Sequence, residues 1–218
     1  MNNEGLLAYT AVIPRGHSKE AEIRGIILLH GYGSHMGDLA GLAQMIGDNK
    51  YTFFCPNAPI QMDVGYGQKG YSWYAMDQTG GTSRVDEALV YLDATLGEIT
   101  DRYEIDRSEL VIGGFSQGGM LAIHAGVASG RSLKGIISMS ARLVSESEIQ
   151  SSQTPVFISH GSNDQVVSVS EGRKARDVLE NSGHLVTYRE YPMAHEINSA
   201  CMKDLNTWLN ALFEGNQS

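Results

Sequence analysis

The 218-residue chain is short of several things, and each shortage excludes a class of protein. It has two cysteines, Cys55 and Cys201, which cannot build a disulfide framework. Its 16 Lys and Arg are outnumbered by 25 Asp and Glu, for a formal net charge of −9. A field of that sign repels polyanions, so neither nucleic acid nor an acidic membrane surface is an expected partner. No repeat, charge block or Pro/Ser-rich linker divides the sequence, so one domain over residues 1–218 is expected. The first twenty residues lack the basic segment and apolar core of a secretory signal, and a cytoplasmic location is the expectation. Leu110–Gly130 lacks Asp, Glu, Lys and Arg over 21 residues, long enough to cross a bilayer. It also holds six glycines, two serines, a glutamine and a histidine, groups that lipid would leave unsatisfied. A buried strand, a tight turn and a buried helix account for it better, so no stable membrane insertion is expected.

What is present is apolar sequence in short pieces. Hydrophobic residues make up 42% of the chain, enough for one sizeable core. The runs Ile26–Leu29, Tyr51–Cys55, Leu110–Ile112, Gly135–Ser140, Val156–Ser159 and Val186–Tyr191 are rich in Ile, Val, Phe and Leu, as strands covered on both faces should be. Leu6–Ile13 alternates and suits an antiparallel edge strand. Between them lie helix-period segments. In Ser83–Tyr103 the residues Val85, Ala88, Leu89, Leu92, Leu96, Ile99 and Tyr103 form one stripe, with Ser83 and Asp86 offering a capping start. Asp38–Gly47, Gln117–Ala128, Val169–Ser182 and Ile197–Phe213 complete the set, and Gly183 is a helix stop. Arg173, Lys174 and Arg176 read as a solvated helix face. Strand–helix alternation predicts an α/β fold with a mostly parallel, doubly wound sheet. Ligands of such sheets bind beyond the carboxyl ends of the strands.

Those ends carry the chemistry. Leu110–Ile112 runs into Gly113-Gly114-Phe115-Ser116-Gln117-Gly118-Gly119, a G-x-S-x-G pattern. A sharp strand-to-helix turn strains its apex residue and exposes that side chain, and glycines on either side let strand and helix approach. Ser116 then sits at a helix N-terminus, where backbone N–H groups point outward. A serine hydroxyl needs a base, usually a histidine held by a carboxylate, and on this kind of fold the chain order is Ser, acid, His. Of the histidines after Ser116, His124 is two turns into a helix, His160 precedes the candidate acid and His184 enters a strand. His195 follows a strand on the expected face and is the candidate base. Asp164 is the carboxylate in the turn after Val156–His160 and the candidate acid, although aspartate is also an ordinary turn former. The loop His30-Gly31-Tyr32-Gly33 can bring the Tyr32 N–H to the site, and with the Gln117 N–H it makes a two-donor oxyanion pocket.

Two decoys fail. Gly31-Tyr32-Gly33 hints at a dinucleotide fingerprint, but Met36 stands where the third glycine belongs, so no nucleotide cofactor is expected. His30, His35 and Asp38 match no familiar ligand spacing, so no metal is expected either. Ile60–Thr82 is the longest connection and reads as irregular. Its Trp73, Tyr74 and Met76 are candidates for the wall of an acyl site, or for an aromatic cluster pinning the loop.

Six segments together resemble the phospholipase/carboxylesterase family of α/β-hydrolases, which includes acyl-protein thioesterases and small carboxylesterases. They are His30-Gly31-Tyr32-Gly33, Cys55-Pro56-Asn57-Ala58-Pro59, Ser72-Trp73-Tyr74, Gly113 through Gly119, His160-Gly161-Ser162-Asn163-Asp164 and Tyr191-Pro192-Met193-Ala194-His195. The likeness runs from about Ile26 to Leu212. It implies the α/β-hydrolase fold with an antiparallel N-terminal edge strand, a Ser116–Asp164–His195 triad, the Tyr32 and Gln117 amides as oxyanion hole, no cofactor, and a family in which homodimers are frequent. The family often has Leu at the Tyr32 position, Asp at Ser34 and Gly at Ala194, departures that bear on substrate preference. Ser140–Pro155 leaves no room for a large cap domain.

The expected activity is hydrolysis of short- to medium-chain acyl esters or thioesters through an acyl-enzyme, rising with pH as the base becomes neutral. The triad alone does not separate this from amidase, peptidase or acyltransferase chemistry. A non-catalytic receptor on the same fold would be expected to lose a triad member.

Overall fold

The computed structural model describes residues 5–16, 22–75, 84–127, 132–146 and 148–215. The strands are β1 (Tyr9–Val12), β2 (Gly25–Leu29), β3 (Thr52–Pro56), β4 (Ile60–Asp63), β5 (Lys69–Ser72), β6 (Val111–Phe115), β7 (Gly135–Met139), β8 (Pro155–Gly161) and β9 (Leu185–Tyr191). The helices are α1 (Met36–Ala43), α2 (Val85–Tyr103), α3 (Gln117–Val127), α4 (Val169–Asn181) and α5 (Ser199–Glu214). Seven strands form one sheet in the order β1-β3-β2-β6-β7-β8-β9. All neighbours are parallel except β1, which runs antiparallel to β3 with Tyr9 opposite Pro56. This is the α/β-hydrolase arrangement, with the antiparallel strand at the N-terminal edge.

The period of two along each strand sorts the core into two layers. Ile27, Leu29, Ile112, Ile136, Val156 and Ile158 face α2, α3 and α4. Ile26, Leu28, Phe53, Cys55, Val111, Ile137 and Phe157 face α1 and α5. The central strands β2, β3 and β7 are buried along their whole length, as continuous apolar runs require. The charge-free segment resolves into β6 and α3, and every residue of α3 is buried. Among the described residues no helix is long and apolar enough to cross a membrane.

Three expectations need correction. The connection after Ile60 is not irregular throughout: β4 and β5 form an antiparallel hairpin, Ile60 opposite Ser72. The hairpin is tied to the loop after β2, where Gly33 N donates to Tyr71 O and Tyr71 N to Ser34 O, both at 2.9 Å. Second, β9 is not covered on both faces. It is the last strand of the sheet, with one edge unpaired among the described residues, and it is largely half-exposed or exposed. Third, α2 starts after an Arg84 in the left-handed region with no side-chain cap; Ser83 lies outside the described residues. The α4 stop is as expected, with Gly183 at φ 90°. The basic cluster on α4 is a paired surface: Arg173 with Glu190, Lys174 with Glu146, Arg176 with Asp177.

Candidate active site

Ser116 occupies the turn between β6 and α3 with φ 54°, a left-handed conformation that costs energy for a residue with a side chain. Two hydrogen bonds impose it: Ser116 N donates to Met139 O and Met120 N to Ser116 O, each at 2.9 Å. The flanking glycines are obligatory. A Cβ on Gly118 would overlap the backbone of Leu29 and sit 2.6 Å from His30 O. One on Gly114 would lie 2.6 Å from Leu29 O and from Gly118 O. The strand–helix corner is therefore closed to side chains on either side of Ser116, and the serine is raised toward the cleft.

The two expected oxyanion amides belong to residues held from behind. Gln117 is buried, and its side chain is tied to the strand-end segment 72–74. Its Oε1 accepts from Trp73 N at 3.0 Å and its Nε2 donates to Tyr74 O at 2.9 Å. The loop carrying Tyr32 is held through His30. Trp73 Nε1 donates to His30 O at 2.8 Å, and His30 Nε2 accepts from Ala58 N at 3.1 Å. The other ring nitrogen, Nδ1, then carries the proton and donates to Gly31 O at 2.8 Å. Burial pushes the His30 imidazole below its ordinary range, which suits this neutral tautomer. Neither the Tyr32 nor the Gln117 amide has an acceptor among the described residues.

Asp164 lies in the turn after β8, with its side chain fully buried. Oδ1 accepts from Val166 N at 2.8 Å and Val167 N at 2.9 Å, while Oδ2 is 2.7 Å from His195 Nδ1. Burial alone would raise this carboxyl. The bond from His195 and the two amides outweigh it and hold the group below the usual carboxylate range. Asp164 is thus an acceptor only and His195 Nδ1 is the donor, an arrangement that in a neutral imidazole makes Nε2 the acceptor. The turn is fixed to the histidine loop by Ser162 N to Tyr191 O at 2.8 Å and Asn163 N to Met193 O at 3.1 Å. Gly161 permits this approach, since a Cβ there would run into the Met193 and Ala194 carbonyls. The His195 ring packs 4.8 Å from that of Phe115, the residue before Ser116. Phe115 thus links the His195 loop to the residue before Ser116; no hydrogen bond joins Ser116 to His195 among the described residues, as is common before substrate binds.

A cleft of about 460 Å³ opens over Ser116 and Gln117. Its walls are mainly Tyr32, Met120, Val166 and Val167, with Arg142 and Glu171 beside them. Trp73 and Tyr74, expected to line an acyl site, are 1% and 0% exposed and stand behind the wall. They touch the wall from its far side, the Tyr74 hydroxyl against Met120 Sδ at 3.5 Å and the Trp73 N–H against Gln117 Oε1 at 3.0 Å. Met76 lies outside the described residues. Val166 and Val167 line the cleft without having been candidates in the sequence; their one local signal is a pair of apolar residues in the acid turn, separated from Asp164 by Gln165. Among the described residues no group of three or more His, Cys, Asp and Glu is placed to hold a metal. His35 instead caps α1, accepting from Gly37 N at 3.1 Å. The two cysteines are buried and free, and burial pushes the Cys55 thiol up to about 12.

The Phospholipase/Carboxylesterase family profile matches residues 9–213. Acyl-protein thioesterase 1 of Neurospora crassa is 33% identical over 180 residues, 72% of this chain and 71% of that protein. Acyl-protein thioesterase 1 of Yarrowia lipolytica is 28% identical over 88% of this chain and 93% of its own length. Among solved structures, esterase PE8 superposes with a TM-score of 0.83 at 28% identity, covering 94% of this chain and 99% of that one. With a family profile matched over nearly its whole length, this chain belongs to the phospholipase/carboxylesterase family and is a carboxylic ester hydrolase.

Proposed function

We propose that the chain is a single domain, residues 1–218, that hydrolyses short- to medium-chain acyl esters and thioesters through an acyl-enzyme on Ser116. The observation that carries the reading is the 2.7 Å bond between Asp164 Oδ2 and His195 Nδ1, set beside a strained, glycine-flanked serine. Ser116 Oγ attacks the substrate carbonyl carbon and passes its proton to His195 Nε2. Asp164 keeps the proton of Nδ1 in place and stabilises the imidazolium. The Tyr32 and Gln117 amides hold the oxyanion of the tetrahedral intermediate. As the intermediate collapses, His195 protonates the departing alcohol or thiol. Water then repeats the sequence on the acyl-serine, releasing the acid and restoring the serine.

The cleft supports the choice of substrate. Its walls are apolar near Ser116, which suits an acyl chain, while Arg142 and Glu171 make a long buried lipid tail a poor fit. The relatives named acyl-protein thioesterases support thioesters as a second leaving group, because the same acyl-enzyme forms from either. The partner is then a small acyl ester or thioester, met in the cytoplasm.

Initial rates on nitrophenyl esters of increasing acyl length, for wild type and Ser116→Ala, test the proposal. Wild type should prefer short to medium chains, and the variant should fold and lose nearly all activity. More than a tenth of the wild-type rate in Ser116→Ala would overturn it.

A further inference from the structure

A second histidine stands behind the Asp164–His195 pair, and no step of the proposed reaction uses it. His160 lies at the end of β8 with its side chain fully buried. Nε2 is 2.9 Å from Val167 O. A carbonyl only accepts, so Nε2 carries the proton and donates. Nδ1 is buried with no partner among the described residues. The ring is wedged against α4, where a Cβ on Gly172 would stand 2.5 Å from Nδ1.

Val167 is therefore held at both ends of its backbone. Its N–H donates to Asp164 Oδ1 at 2.9 Å, and its C=O accepts from His160. The first half of the acid turn is pinned to the histidine loop through Ser162 and Asn163. Val166 and Val167, in the second half, bind the carboxylate itself, and His160 ties this half back to the strand.

We infer that His160 is a positioning residue: by holding the Val167 peptide it fixes the rotation of the Asp164 carboxylate and so aims Oδ2 at His195. This rests on the triad reading above. The choice of side chain follows from the distances. His160 Nε2 is 3.6 Å from Asp164 Oδ2, against 2.7 Å for His195 Nδ1. A lysine or arginine there would bring a full cation to that oxygen and compete with His195. An apolar residue would leave Val167 O unpaired in the core. A ring bearing its single proton on Nε2 satisfies the carbonyl and leaves Oδ2 to His195. Glutamine can extend an amide N–H to a similar reach and is the conservative replacement.

The test is steady-state kinetics of full-length wild type, His160→Leu, His160→Gln and Gly172→Ala on nitrophenyl acetate and butyrate. Active sites are counted by fluorophosphonate titration, so that rates refer to folded, competent enzyme. His160→Leu should lose between about 10- and 100-fold in kcat, by the same factor on both esters and with KM little changed. His160→Gln should recover most of that loss. The low-field proton resonance of the His195–Asp164 bond should persist in His160→Gln and broaden or move in His160→Leu. Gly172→Ala, which displaces the ring from α4, should lower kcat in the same direction and keeps the test open if His160→Leu does not fold. A kcat within twofold of wild type for the titrated His160→Leu and Gly172→Ala enzymes would overturn the role. So would a His160→Gln enzyme as impaired as His160→Leu. An Asp164→Asn variant with wild-type kcat would overturn the triad reading itself, and this role with it; triad-dependent activity with an undiminished His160→Leu overturns only the role of His160.

Discussion

Replacing Asp164 by asparagine changes no volume and one pattern of donors and acceptors. In the native turn Oδ1 receives two backbone N–H groups, from Val166 and Val167, and Oδ2 receives the His195 Nδ1 proton. An amide has one oxygen. Keeping it toward the two N–H groups preserves two hydrogen bonds and turns the new NH2 toward His195. The imidazole must then accept at Nδ1, so its proton moves to Nε2, the atom that has to receive the serine proton. Turning the amide the other way saves the His195 bond at the expense of a buried N–H at Val167, which costs about 1–3 kcal/mol, and a part-buried one at Val166. The first arrangement is therefore favoured, and it is the inactive tautomer. The expected loss is about 10⁴-fold in kcat, roughly 5 kcal/mol of barrier. Nitrophenyl butyrate hydrolysis under saturating substrate reads this directly, with circular dichroism to show that the variant is folded. A folded Asp164→Asn enzyme within tenfold of wild type would refute the tautomer argument.

Other consequences are open to equally simple measurements. The folded-state value of the Asp164 carboxyl lies below its unfolded value, so this group contributes stability above about pH 4 and loses that contribution as pH falls through the lower folded value. The Tm difference between wild type and Asp164→Asn should shrink between about pH 5 and 3; a difference that widens on acidification has the wrong sign. Gly118→Ala should destabilise the fold by about 3 kcal/mol or more, because the obstructing atoms are backbone at Leu29 and His30, and urea unfolding would show it. Val166→Ala and Val167→Ala should raise KM for butyryl more than for acetyl esters, since both side chains line the cleft, whereas equal effects on the two would remove them from the acyl wall. Arg173→Ala, although it breaks a pair that holds Glu190 down to about 2, should leave the midpoint of chemical denaturation almost unmoved, because the pair is exposed.

Much of this arrangement can be read in the chain before any coordinates. Buried parallel strands write themselves as continuous Ile, Val, Leu and Phe runs, and the elbow writes itself as glycines around Ser116, because backbone contact at Leu29 excludes every other residue there. The order Ser116, Asp164, His195 then selects one candidate among several histidines. The β4–β5 hairpin was illegible because its strands pair chiefly with each other at the surface and carry no apolar run. Trp73 and Tyr74 were misplaced for a different reason. Composition marks aromatics as important but does not say which side of a wall they occupy, and here the side chain of Gln117 draws their backbone inward. The cleft walls come from residues distant in sequence, with Met120 and Val167 in one apolar cluster, and no local pattern encodes that. His160 comes before the acid in the chain, and chain order does not reveal that its ring stands beside Asp164 in space.

The most direct measurement is site-resolved mass spectrometry after treatment with phenylmethylsulfonyl fluoride, on wild type, Ser116→Ala and His195→Ala. A serine activated by its neighbouring imidazole predicts one sulfonyl adduct per chain, on the peptide carrying Ser116, absent from Ser116→Ala and formed far more slowly in His195→Ala. An adduct on another residue, or labelling of Ser116 at an undiminished rate without His195, would contradict the convergence of these side chains.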